Sequence, residues 1–283
     1  MCVEVLGLVD VRAGLSFAER WANAGLDNLH FLPAESNTPL KWSLAESGEA
    51  GGGGGPLLSF KVESLALNKS QHRVAKLITH YLITPTGEIG IDVELAVEKW
   101  VPPLGRVGLR LKLRANEDDE LSWLGRGPGE NYPDRHQGVF VGVHRSRPFL
   151  DGHVPYIRPQ ENGSHGGCHW AQVGSFMVRG GTPFSFRCSP YSDEALAAAT
   201  HQTDLVTDAP DGGAARALEL HVDTLMMGLG GDDSWSPSVH PPYLLNSHRS
   251  RGKPAYKYQV WLTPMGPEDH ARDIARRPVY RPV

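Results

Sequence analysis

Cysteine is scarce in this chain, and both long apolar runs and a surplus of either charge are missing. Only Cys2, Cys168 and Cys188 occur, an odd, scattered set that is not a disulfide framework and suits a reducing compartment. No stretch of ~18 apolar residues is present to cross a bilayer. Met1 to Val11 carries Glu4 and Asp10 inside its short apolar stretch, which fits neither a membrane span nor a secretory leader. A soluble, intracellular protein with no membrane partner is the expectation. Lys and Arg total 28 against 32 Asp and Glu, a net charge of −4. That balance argues against a basic face for nucleic acid.

Turn chemistry is what the chain has in quantity. Its 32 glycines and 22 prolines are spread between apolar runs, as the turns of a many-stranded protein would be. The 283 residues allow one large all-β domain or two average ones, because ~150 residues per domain is only a prior.

Leu15, Ala18, Trp21 and Ala22 recur at helical spacing and predict a short helix over Ser16 to Ala24, stopped by Gly25. From Ala34 to Pro56 the composition turns to Ser, Glu, Asn and Pro and then to Gly51 through Gly55. Glycines lose much backbone entropy on ordering, so the segment 34–56 reads as a flexible insertion without a packed element. Next, His72 to Thr84, the turn Pro85-Thr86-Gly87, and Ile89, Ile91, Val93, Leu95 and Val97 alternating with Gly90, Asp92, Glu94, Ala96 and Glu98 predict a hairpin with one wet face. Val107, Leu109, Leu111 and Leu113 against Arg110, Lys112 and Arg114 repeat the rule, and antiparallel sheet follows. A second helix is predicted over Asp193 to His201 with Ser192 as N-cap. The segment 264–283 is rich in Arg and Pro and is expected to fray.

Two blocks carry a resemblance. The first is Trp123-Leu124-Gly125-Arg126-Gly127-Pro128-Gly129-Glu130-Asn131-Tyr132-Pro133-Asp134-Arg135, followed by Pro155-Tyr156-Ile157-Arg158-Pro159-Gln160-Glu161-Asn162-Gly163. The second is Met227-Gly228-Leu229-Gly230-Gly231-Asp232-Asp233-Ser234-Trp235-Ser236-Pro237-Ser238-Val239, closing on Tyr256-Lys257-Tyr258-Gln259-Val260-Trp261. In order and spacing they resemble the C-terminal small-chain domain of the β-galactosidases of glycoside hydrolase family 2. The resemblance implies an all-β fold: a large antiparallel supersandwich, galactose mutarotase-like, with one or two short helices, as a single domain over 1–283. It also implies strands and an Arg-Ala-Pro-x-Asp-Asn-Asp segment upstream of Met1, so the domain reads as N-terminally truncated.

The same resemblance implies a carbohydrate-facing domain that completes the active site of a fused or separate catalytic barrel, in a larger or oligomeric assembly acting on terminal β-D-galactosides. Retaining glycosidases use two carboxyl groups ~5 Å apart. In the family both lie on the barrel, which also uses Mg and Na, so no catalytic residue, cofactor or metal is expected in this chain and in isolation it should be inactive. The resemblance makes Trp235 the substrate contact, with Asp232, Asp233 and Ser234 beside it. By residue type, Trp235 is either a core tryptophan or a sugar platform, its flat face stacking on C–H groups while its N–H bonds a hydroxyl.

Arg126, Glu130, Asn131, Asp134, Arg135, Glu161 and Asn162 sit among Gly and Pro, where turn-capping and an ion-pair network that orders loops are the simplest roles. His165, Cys168 and His169 match no zinc signature. Tyr191 and His201 read as packing residues, and Trp123, inside a strand-like run, as core. The alternatives are a stand-alone carbohydrate-binding module or a scaffold subunit without hydrolase activity. A mutarotase-like enzyme ranks last, because its histidine and glutamate motifs are not found.

Overall fold

Local chemistry sets the first element. The structure, a computed structural model, describes residues 16–34, 41–46, 56–207, 216–231, 239–245 and 256–277. Ser16 caps α1 (Phe17–Asn23): its hydroxyl accepts the Glu19 N–H at 3.2 Å, and the Glu19 carboxylate accepts the Ser16 N–H at 2.8 Å. This reciprocal box satisfies amides that the first turn leaves open. The helix buries Phe17 and Trp21, and the Trp21 indole donates to the Pro103 carbonyl at 2.6 Å.

Strands follow as β1 (His30–Pro33), β2 (Lys41–Glu46), β3 (Pro56–Leu67), β4 (Arg73–Ile83), β5 (Ile89–Val97), β6 (Arg106–Ala115), β7 (Leu121–Gly127) and β8 (Phe140–Ser146). After α2 (Pro148–Asp151) come β9 (His165–Val173), β10 (Phe176–Ser189), α3 (Asp193–Ala198), β11 (Arg216–Met226), β12 (Tyr256–Pro264) and α4 (Ala271–Ala275). The predicted hairpin is β4–β5, in which Ile91, Val93, Leu95 and Val97 are buried and the residues between them half-buried. Among the described residues no helix is long or apolar enough to cross a membrane.

All the ladders are antiparallel. The main path runs β1-β3-β4-β5-β12-β10-β9-β7-β8, and β11 and then β6 branch from β10. Tyr258 on β12 donates its buried hydroxyl to Gly108 O on β6 at 3.3 Å, although the two strands are not neighbours in a sheet. The branch therefore folds over the main sheet, as an all-β sandwich requires. Between the layers lie Val93, Leu95, Val107, Trp123, Phe186, Leu220, Val222 and Val260. Trp123 is completely buried, its indole donating to Arg126 O at 3.0 Å and its ring 4.4 Å from His165 and 5.7 Å from Phe186.

Four expectations need correction. Within the segment 34–56, Lys41–Glu46 forms β2, paired with β3 from Lys41↔Lys61 to Glu46↔Pro56, so a ladder there outweighs the polar composition. Within 264–283, α4 buries Ile274 against Trp170, Met177 and Met265 in a second small core, so up to Arg277 this region is anchored. His201 does not pack: it is exposed, and its N–H, like that of Thr200, is held by Asp204. The helix at 193 is shorter than predicted and ends at Ala198, with Ser192 accepting the Ala195 N–H. Tyr191 is half-buried and meets His153 edge-on, centroids 4.9 Å apart.

Candidate functional site

Glu130 begins the site, on the loop after β7. One carboxylate oxygen accepts Arg135 and the Tyr156 hydroxyl, and the other accepts the Gly163 N–H at 2.6 Å. Burial and then the bond to Glu130 push the Tyr156 phenol up, so it stays protonated and can donate. Asn131, buried, donates its N–H to Ser164 O at 2.7 Å and accepts the Gly166 N–H at 2.9 Å. Asn162, also buried, accepts the Val154 N–H at 2.8 Å and donates to Gln160 O at 2.8 Å. Glu130, Asn131 and Arg135, which also donates to the Tyr156 hydroxyl at 3.3 Å, thus tie the loops 128–135 and 154–164 together, while Asn162 braces the second loop from within. Arg126 stands apart from them and lies against Gly167, where an added Cβ would come 3.0 Å from its guanidinium.

Asp134 does something different. Its two oxygens accept successive backbone N–H groups, Leu229 at 3.1 Å and Gly230 at 2.7 Å. Gly228 passes so close that a Cβ there would lie 2.4 Å from the same carboxylate, while Gly230 and Gly231 have φ of +68° and +77°, the left-handed region glycine adopts without strain. Asp134 therefore latches the first motif to the root of the second. Asp232, Asp233, Ser234 and Trp235 lie outside the described residues. A cleft of ≈ 440 Å³ opens beside the latch, lined by Glu130, Asp134, Arg135 and residues 136–139, a volume within the range of small-ligand sites. We expect Asp134→Ala to speed amide exchange at Leu229 and Gly230 at least tenfold, since hydrogen bonds to a charged acceptor are worth ~1.5–3 kcal/mol each. Unchanged exchange at both would show that the latch does not hold the root.

Glu161 leads inward to a group of charges that composition did not single out. It accepts Tyr132 at 3.3 Å and pairs with the buried Arg106 at 2.7 Å and Arg187 at 3.0 Å. Burial, then the charges of Glu161 and Glu130, push the Tyr132 phenol up, so it remains a donor. Beyond the arginines stand Glu219, His221 and Asp223 on β11, with Asp193 at the start of α3. Arg110 joins them by pairing with Glu219 at 2.5 Å and with Glu194.

Asp193, Glu219 and His221 bring ligand atoms within 4.8 Å of one another, which by residue type could hold a metal. The protons say otherwise. Arg106 approaches His221 Nδ1 at 2.7 Å and has only donors to offer, so Nδ1 accepts. Burial and the surrounding guanidiniums hold the His221 pKa well below its usual value, so the ring is neutral with its proton on Nε2. Nε2 faces Glu219 Oε1 at 3.0 Å and Asp193 Oδ2 at 3.3 Å. The carboxylates are shared among Arg187, Arg110 and that N–H, so the group is arranged as an ion-pair network. Asp193 and Glu219 also come near the spacing of a retaining pair, but both are ion-paired and the Glu219 side chain is only 2% exposed.

Among the described residues, His165, Cys168 and His169 do not bring their ligand atoms together. Cys168 donates to His165 O and Gly166 O, and burial pushes its thiol up to about 12, while His169 is exposed.

Residues 10–262 match the family model described as the beta galactosidase small chain. A beta-galactosidase of Vibrio cholerae is 38% identical over 248 residues, 87% of this chain and 21% of that protein. Those of Pseudoalteromonas haloplanktis and Aeromonas hydrophila are 35% and 44% identical, over 65% and 56% of this chain and 16% and 14% of theirs. The chain thus spans about a fifth or less of the relatives it matches. Among solved structures, an Aspergillus nidulans amine oxidase aligns at a TM-score of 0.28 and 10% identity over 87% of this chain and 39% of its own, too low to bear on the fold. With the family model matching nearly the whole chain and both motifs joined through Asp134, the chain belongs to the β-galactosidase small-chain family.

Proposed function

We propose that the chain is the carbohydrate-facing module of a β-galactosidase, its loop 232–235 completing the active site of a catalytic barrel supplied by a fused or separate larger chain. The observation that supports this reading is the Asp134 latch, which holds Leu229 and Gly230, the residues that lead into 232–235, beside a ligand-sized cleft. A preset loop root lowers the entropy lost when the loop engages sugar. The relatives, all named beta-galactosidase, carry most of their length outside the matched region. Terminal β-D-galactosides are the substrates this reading implies, and hydrolysis falls to carboxylates outside this chain.

The test mixes the purified chain with Vibrio cholerae β-galactosidase deprived of the region it matches. Hydrolysis of a chromogenic β-galactoside should require both, and neither alone should turn over. In the reconstituted enzyme, Trp235→Ala should raise KM by about 5- to 150-fold, the equivalent of losing ~1–3 kcal/mol of aromatic contact, with kcat nearly unchanged. Turnover by the isolated chain, or no gain on mixing, would overturn the proposal. A KM unmoved by Trp235→Ala would remove the loop from it.

A further inference from the structure

The family match ends at residue 262, and α4 lies beyond it. Along β7, Leu121 and Trp123 point to the main core, whereas Leu124 packs in the second core with Trp170 and Ile274. Alternate side chains of a strand face opposite ways, so α4 covers the outer face of the sheet. Its anchor is secure, with Ile274 only 1% exposed.

Between α4 and the edge strand β8 lies a groove of ≈ 820 Å³, in the range of sites that enclose small ligands. Its floor is a cross-strand row, Val143 on β8, Leu124 on β7 and Trp170 on β9, joined by Leu124↔Val143 and Leu124↔Trp170 pairing. Val143 is 58% exposed, so the apolar floor is open to a ligand at that end. Ser122, His169 and Gln172 add hydrogen-bonding groups beside the row.

The rim is basic. Arg145, Arg179, Arg272 and Arg276 line the groove against the carboxylates Glu120 and Asp269. Arg179 is committed to Glu88 and the Arg277 carbonyl, and Arg145 to Glu120 at 3.4 Å. Arg272 and Arg276 are exposed, stand one helical turn apart on the same face of α4, and make no ion pair among the described residues. A planar guanidinium is suited to bidentate contact with carboxylate or phosphate. An apolar floor flanked by hydroxyl, amide and imidazole groups is suited to the C–H face and hydroxyls of a sugar ring.

We propose that this groove is a binding site for an anionic saccharide, its acidic group held by Arg272 and Arg276 and its ring laid on Leu124 and Val143. The site stands on its own, separate from the Asp134 latch and independent of the function proposed above.

Isothermal titration of the full chain with trigalacturonate, against neutral galactotriose, inorganic phosphate and a tri-glutamate peptide, decides it. Trigalacturonate should bind, at least tenfold more tightly than galactotriose. Its affinity should fall at least tenfold in Arg272→Ala/Arg276→Ala, with melting temperature unchanged because both side chains are exposed. Charge reversal, Arg272→Glu/Arg276→Glu, should abolish binding. Trigalacturonate affinity that survives either variant, or galactotriose binding just as tightly, overturns the proposal. So does phosphate binding as tightly as trigalacturonate, which would make this a simple anion site. Tighter binding of the peptide would make it a protein-docking surface and likewise end the saccharide assignment.

Discussion

Truncation of Trp123 to alanine should destabilise the protein by ~3–5 kcal/mol, the cost of deleting a large aromatic from a close-packed interior. The ring has no exposed surface and fills the space between His165 and Phe186, so its removal leaves a cavity that the flanking strands β8 and β9 are too constrained to close. The indole N–H is a smaller part of the loss, because its acceptor, Arg126 O, lies within three residues of the same strand. Urea denaturation of wild type and variant measures the difference directly. A loss below ~1 kcal/mol would show that Trp123 is not a keystone of the core. Trp235→Ala, tested for sugar affinity, should leave the fold intact, so the two tryptophans separate stability from binding.

The second large effect lies at Glu161. Its side chain is 5% exposed and faces two guanidiniums that are themselves 0% and 1% exposed. Glu161→Ala removes a shared countercharge from Arg106 and Arg187, and breaking one side of a buried ion pair costs ~3–5 kcal/mol. Arg106 keeps Asp223 at 3.7 Å and His221 at 2.7 Å, and Arg187 keeps Asp193 and Glu219, so the network is weakened at its centre and not dissolved. The contrast is Glu94→Ala, whose partner Lys257 is 61% exposed, where ~0–1 kcal/mol is expected. If the two variants denature at the same urea concentration, the buried network contributes nothing beyond a surface pair.

Fold and site were legible in the sequence to different depths, for physical reasons. The β4–β5 hairpin could be read because one face is wet and period-2 alternation reports that asymmetry. Strand β11 alternates as cleanly, with Leu218, Leu220 and Val222 between Glu219, His221 and Asp223, yet both of its faces are buried. Alternation tells which side chains share a face, not whether water reaches it, and the ion-pair network is built on that concealed polar face. Glu130, Asn131 and Asn162 each accept a backbone N–H, as Gly- and Pro-rich surroundings that leave amides outside any ladder would lead one to expect. The Asp134 latch was out of reach, since it bonds residues ninety-five and ninety-six positions away. Strand β2 and helix α4 were missed because composition says little about a segment whose order comes from a distant partner.

Strand β10 bears on how the molecule comes apart. Its first half, Phe176–Gly180, lies between β9 and β12, and its second half, from Ser185 to Ser189, pairs with β11, which carries β6. One continuous strand therefore belongs to both layers. Losing β10 would cost both layers pairing at once, which couples their unfolding. The same sheet joins β12 to β5 across the intervening chain, and such distant pairings are entropically slow to form.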